Sequence, residues 1–197
     1  MTARTLLQMA GADLTPPAIG DATLLLIDAQ REYVDGRLAL PGAGPALDNL
    51  AKLLAAARKA GAPVVHVQHK GKAGGLFDAE TTAFELAPQA AAKDGEAIVE
   101  KALPNAFAGT DLKEKLDAAG RRKLVVAGFM THMCVSSTTR AALDLGYSAT
   151  VVCDACATRD LPAIGGSGTV AANDLHLAEL AALADRFAIV CATADIA

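Results

Sequence analysis

The chain contains no tryptophan and only two tyrosines and five phenylalanines among 197 residues, so aromatic rings cannot build its interior. The core has to come from Ala, Leu and Val, which bring the apolar fraction to 52%. That mix suits a parallel sheet covered by alanine-rich helices. No apolar run approaches the ~20 residues a membrane-spanning helix needs. The first twenty residues, MTARTLLQMAGADLTPPAIG, carry one arginine and a broken apolar stretch, unlike the long h-region of a signal peptide. Basic residues cluster no further than Arg121-Arg122-Lys123, read as a solvated helix end, and the formal net charge is −4. There is therefore no electrostatic reason to expect nucleic acid or a membrane surface as a partner. The four cysteines share no repeated spacing, which fits a reducing cytoplasm better than a disulfide framework.

What is present is an alternation of apolar, β-branched runs with helical patterns. Strands are expected at 23–29, 63–68, 97–101, 123–127, 149–153 and 187–191. Helices are expected at 45–59, from Asp111 to Gly120, at 135–145 and at about 171–184. Residues 1–20 read as an N-terminal arm ended by Pro16-Pro17, and residues 21–197 as one domain. Such alternation implies right-handed βαβ crossovers and a three-layer α/β/α fold around a mostly parallel, Rossmann-like sheet. The stretch 69–97 is long, Gly- and Ala-rich, with at most one short helix near 82–86. A connection of that length is more often a functional lid than a spacer.

Three positions carry chemistry-bearing side chains at the carboxyl ends of expected strands: Asp28 in LLLIDAQ, Lys101 in VEKALPNAFAGTDL, and Cys134 in VVAGFMTHMCVSSTTRAAL. A parallel sheet would bring all three to one rim, where open α/β folds hold ligands. Each is ordinary alone. Asp28 could be a cap or an ion-pair member, Lys101 a surface lysine, Cys134 a packing residue. Together they make a nucleophile, a base and a cation. A cysteine opening a helix feels the positive end of the backbone dipole, which favours the thiolate. Alkylation of Cys134 ahead of Cys153, Cys156 and Cys191 is the corresponding expectation.

At these residues the chain resembles the isochorismatase-like cysteine hydrolases, over about residues 21–195. The family's D-x-Q, K-x-x-x-x-x-F and G-x-x-T-x-x-C-V-x-x-T patterns are met by Asp28 and Gln30, by Lys101 and Phe107, and by Gly128, Thr131, Cys134, Val135 and Thr138. The resemblance implies a C–N hydrolase with an Asp28–Lys101–Cys134 triad and a thioester intermediate. It also implies a cis peptide between Phe129 and Met130, with the N–H groups of Met130 and Cys134 as oxyanion hole. Tyr33 and Phe107 fall where the family places aromatic pocket walls, and Thr131 and His132 in the loop beneath the hole; these four are the candidate substrate-binding residues. Family members commonly form dimers or tetramers, and the arm could exchange between subunits.

The chain departs from the nicotinamidase branch, lacking its Asp-x-His and D-W-H-P metal motifs. His66 and His69 lie three apart on a strand and should point to opposite faces. No metal and no cofactor are expected, and the partner is a small-molecule amide. Cys153 and Cys156 form a single C-x-x-C, read as packing, and His176 reads as a packing histidine. The IGGSGTV loop lacks the G-K-[ST] ending of a phosphate loop and reads as a turn before a helix. Two alternatives stay open: an isochorismatase-type vinyl-ether hydrolase in which Asp28 is a general acid and Cys134 a bystander, and a non-catalytic binding protein of the same fold.

Overall fold

Thr23–Ile27 (β1) is an unbroken apolar strand buried on both faces, as the centre of a covered parallel sheet requires. The computed structural model describes residues 2–197. Beside β1 lie Val64–His69 (β2) and Ala97–Lys101 (β3) on one side, and Lys123–Phe129 (β4), Ser148–Ala157 (β5) and, beyond the short pair Leu161–Pro162 (β6) and Thr169–Val170 (β7), Ala188–Cys191 (β8) on the other. The six-stranded sheet runs β3-β2-β1-β4-β5-β8, with every pairing parallel. Strands β6 and β7 form a separate antiparallel pair enclosing the glycine-rich loop.

The helices are Leu6–Met9 (α1), Ala43–Lys59 (α2), Leu112–Ala118 (α3), Ser136–Asp144 (α4) and Ala172–Arg186 (α5). In α2 the buried residues Ala43, Ala46, Leu47, Leu50, Leu53, Leu54 and Ala57 recur at helical spacing. They pack on Leu24, Leu26, Val125 and Ala127 to cover one face of the sheet. Leu112 and Leu116 of α3, Ala142 of α4, and Leu180 and Leu183 of α5 cover the other against Leu25, Ile27, Val65 and Val126. The alternation of Leu24/Leu26 with Leu25/Ile27 across these two clusters is the period-2 signature of a strand covered on both sides.

Three boundaries differ from the sequence reading. Strand β4 continues through Gly128, which reads as a break. A Cβ there would stand 2.0 Å from the Ile27 carbonyl oxygen, and its φ is 120°, so the glycine lets β4 lie against β1 rather than ending it. Strand β5 runs on to Ala157 because it bulges. Between the pairs Val126↔Val151 and Gly128↔Cys156, β5 advances five residues against two on β4. Helix α4 begins only at Ser136, so Cys134 is not at the start of a regular helix.

The arm docks α1 against α5 through the Leu6 N–H, which donates to Asp185 Oδ1 at 2.9 Å. Within 69–97 the helical structure is limited to two short 3-10 turns, Thr82–Phe84 and Pro88–Ala90. The segment is nevertheless strapped down: Arg31 N–H donates to the Glu85 carbonyl and Ala87 N–H to the Ala29 carbonyl. No described helix is long and apolar enough to cross a membrane.

Candidate active site

Strand order reverses between β1 and β4, the switch point at which open α/β sheets hold ligands beyond their carboxyl ends. Asp28 directly follows β1 there. Its φ of 51° is a left-handed conformation that aspartate enters more readily than most residues. Lys101 is the last residue of β3, in register with His69 of β2. Cys134 lies in a wide turn, Thr131–Val135, between β4 and α4, closed by the Val135 N–H donating to the Met130 carbonyl at 3.2 Å. The Phe129–Met130 peptide leading into the turn is cis.

The three side chains converge in a buried cluster; Asp28 is 0%, Lys101 2% and Cys134 4% exposed. Lys101 Nζ lies 2.7 Å from Asp28 Oδ2, 3.2 Å from Cys134 Sγ and 3.0 Å from His69 Nδ1. The His69 and Cys134 contacts have hydrogen-bond geometry, whereas the approach to Asp28 is an ion pair. Asp28 Oδ1 has no hydrogen-bond partner.

Burial raises the Asp28 carboxyl above its usual range, with Lys101 pulling the other way. Burial, then the Asp28 charge, push the Cys134 thiol up to about 12, against the pull of Lys101. This shift runs against the expectation that the thiolate is favoured. The sulfur sits inside the turn rather than at an open helix end, and desolvation outweighs the cation beside it. What the site holds instead is a thiol next to an unusually basic carboxylate. Burial and Lys101 bring His69 down to about 4, leaving a neutral imidazole whose Nδ1 lone pair accepts from the ammonium.

His69 was not singled out for this site in the sequence. Its backbone is gripped on both sides by Gln30, whose Oε1 accepts from His69 N–H at 2.7 Å and whose Nε2 donates to the His69 carbonyl at 3.0 Å. Gln30 Nε2 also donates to the Phe84 carbonyl at 2.8 Å, tying the strand end to the 69–97 segment. The available signal was positional: the final residue of β2 stands opposite the final residue of β3. His66 turns the other way, its Nε2 2.9 Å from Glu96 Oε2.

Metal-ligating atoms of Asp28, His69 and Cys134 lie within 4.8 Å of one another, the chemistry of a three-ligand site. Lys101 Nζ touches a side-chain atom of each, so a cation already stands among them. The donor set fits a fixed ammonium better than a metal ion that would have to displace it.

The four candidate substrate-binding residues separate. Tyr33 is buried in an aromatic cluster, edge-on to Phe77 at 5.0 Å and to Phe129 at 5.6 Å; Phe77 is in turn 5.0 Å from His69. Burial, then the Asp28 and Cys134 charges, raise the Tyr33 hydroxyl above its usual range. Thr131 is buried with its Oγ1 2.9 Å from His176 Nδ1 on α5, so its hydroxyl is engaged with the protein and the packed His176 ring has a polar partner. His132 Nδ1 meets Thr158 Oγ1, while its buried Nε2 has no partner. Phe107 stacks on Tyr147 at 6.0 Å, on the face of the sheet covered by α3 and α4, and lines a cleft there with Asn105 and Leu145. Met130 and Cys134 N–H groups donate, among the described residues, to no side chain and to no carbonyl outside the turn.

Glu32, also absent from the sequence reading, is buried and accepts from the N–H groups of Arg37 at 2.6 Å, Leu38 at 3.1 Å and Phe77 at 3.1 Å. A buried carboxylate holding three backbone donors fixes the loop after β1 to the 69–97 segment. A cleft of about 390 Å³ lies elsewhere, between the N-terminal arm and the amino ends of β4, β5 and β8.

Known proteins resemble this chain in fold and sequence. An isochorismatase from Pseudomonas putida KT2440 superposes with a TM-score of 0.95 and 43% identity, covering 100% of both chains. The secreted isochorismatase effector Isc1 of Verticillium dahliae is 36% identical over 95% of this chain and 96% of its own. A streptothricin hydrolase of Streptomyces noursei is 41% identical over 85% of this chain and 61% of its own. The isochorismatase domain model matches residues 22–195. With a switch-point cluster of this kind inside a matched region that spans nearly the whole chain, the protein belongs to the isochorismatase family of hydrolases.

Proposed function

We propose that this chain is a cysteine hydrolase cleaving a C–N bond of a small-molecule amide through Asp28, Lys101 and Cys134. The observation that carries the reading is the Lys101 ammonium lying between a basic, buried carboxylate and a buried thiol, at 2.7 Å and 3.2 Å.

Asp28 takes the Cys134 proton as the sulfur attacks the amide carbonyl, and the ammonium compensates the charge on both atoms. The C=O electron pair moves onto oxygen, where the N–H groups of Met130 and Cys134 meet it; one such donor is worth roughly 3 kcal/mol. Collapse expels the amine or ammonia, which takes the proton held by Asp28, and leaves a thioester on Cys134. Water, giving a proton to Asp28, then attacks the thioester. The acid leaves, and the proton returns to sulfur. Lys101, paired with Asp28 and hydrogen-bonded to Cys134 and His69, steadies charge and does not attack.

Streptothricin hydrolase, among the relatives, favours a hydrolytic reading of this kind. A second reading, isochorismatase-type vinyl-ether hydrolysis with Asp28 as general acid, is favoured by the similarity to the isochorismatase effector. The four free thiols suit a cytoplasmic setting, and the reading includes a dimer or tetramer measurable by light scattering. A panel of small amides assayed for ammonia or amine release tests the reading. Cys134→Ala should lose more than about a thousandfold in kcat/KM, and acid-quenched enzyme should carry an acyl mass adduct on Cys134. Turnover that survives Cys134→Ala, or isochorismate consumed in preference to every amide, would overturn it.

A further inference from the structure

The inward face of α5 changes character along its length. His176, Glu179, Leu180 and Leu183 recur at i, i+3, i+4 and i+7, the spacing of a single helix face. Leu180 and Leu183 are the buried residues of α5 and join the core cluster on that side of the sheet. The first half of the helix contributes no buried side chain to the core. Its seating there rests on the two polar residues of the face, His176 and Glu179.

Both of them meet the turn that carries Cys134. His176 Nδ1 lies 2.9 Å from Oγ1 of Thr131, the first residue of the turn. Glu179 Oε1 accepts at 2.6 Å from Oγ of Ser136, which follows the turn and opens α4. Thr131 and Ser136 are buried, and buried hydroxyls seldom go without a partner. Here both partners come from one face of one helix. Arg140 completes the second contact, donating from Nε to Ser136 Oγ at 3.1 Å and from Nη2 to Glu179 Oε1 at 3.0 Å. Its guanidinium stands over the Phe187 ring, 4.2 Å from the centroid, which holds the ion pair against the protein. Cys134 is therefore bracketed in the chain, with one anchor ahead of it and one behind.

We infer that His176 and Glu179 are positioning residues, which clamp both ends of the nucleophile turn onto α5 and so fix where Cys134 Sγ and the N–H groups of Met130 and Cys134 stand. Each acts through the turn rather than on the substrate. Misplacing reacting groups by about 1 Å can cost roughly a hundredfold in rate, so the clamp bears on kcat more than on binding. Its kinetic consequence rests on the amide reading, whereas its hold on the turn is measurable without any substrate.

Hydrogen–deuterium exchange of the intact chain, read on peptides spanning residues 129–136, measures that hold. His176→Leu should speed exchange there about tenfold or more, with peptides of β1 and α2 at the wild-type rate. His176→Asn, which keeps a polar atom near the Nδ1 position, should recover part of the protection, and Glu179→Gln should be milder than Glu179→Ala. Thermal melting of each variant reports whether it folds. On an amide that is turned over, His176→Leu should lower kcat roughly 10- to 100-fold with KM within about twofold of wild type. Thr131→Val should match it, and the double change Thr131→Val/His176→Leu should be no worse than either alone. Faster exchange with no amide hydrolysed would defeat the amide reading and leave the clamp standing. Wild-type exchange at 129–136 in both His176→Leu and Glu179→Ala, additive losses in the Thr131/His176 pair, or a loss carried by KM with kcat unchanged would overturn the clamp.

Discussion

His69 Nδ1 lies 3.0 Å from Lys101 Nζ, opposite it in the β2–β3 register, and so holds the lysine in place beside the nucleophile. Replacing His69 by Leu removes that acceptor and leaves one ammonium proton unpaired in a buried site. The expected outcome is a fall in kcat of about tenfold or more with KM little altered, measured by steady-state kinetics on an amide that is turned over. His69→Asn, which keeps an acceptor, should recover part of it.

Lys101→Met leaves the Asp28 carboxylate buried without its cation. Breaking a buried pair from one side typically costs about 3–5 kcal/mol, so urea denaturation should show a drop of that order together with loss of activity. The double change Asp28→Asn/Lys101→Met removes both charges and should recover much of the stability but none of the activity.

Alkylation distinguishes the buried thiol from a preformed thiolate. With Cys134 pushed up to about 12 and nearly inaccessible, iodoacetamide at pH 7 should modify the half-exposed Cys153 no later than Cys134. Peptide mapping over a time course reads the order. Rapid, selective labelling of Cys134 at pH 7 would contradict the resting thiol.

Stability should fall on acidification in two windows. His69 is lowered from 6.5 to about 4, so the folded state binds fewer protons than the unfolded state between those values. Its contribution is complete above pH 6.5 and is lost as the pH falls toward 4. Glu96, hydrogen-bonded to Arg58, is lowered from 4.5 to about 2, and its contribution is lost between those values. Thermal melting against pH should show both declines, with Glu96→Gln flattening the lower window alone.

Gly128→Ala places a methyl group about where the Ile27 carbonyl stands, at a φ of 120°. A loss of more than about 3 kcal/mol is expected by denaturation, with inactivity following from displacement of the Asp28 and Cys134 loops.

Much of this was legible in the chain. The apolar runs of β1 to β4 and the glycine after α2 mark strands and helix ends through local chemistry, and strand-end placement of Asp28, Lys101 and Cys134 follows from the alternation itself. What local pattern could not carry is tertiary. Gly128 looks like a terminator until β1 is seen pressed against it. The thiol's protonation depends on how deeply the turn is buried, which no spacing reveals. His69 has no motif; it is defined by its cross-strand partner.

The Lys101 ammonium, already in contact with Asp28, Cys134 and His69, is committed to the reacting groups. Reactivity and recognition are thereby divided between separate parts of the protein. The centre can stay the same while the loops around it change, and a lineage built on such a centre is free to exchange one substrate for another by altering its margins alone.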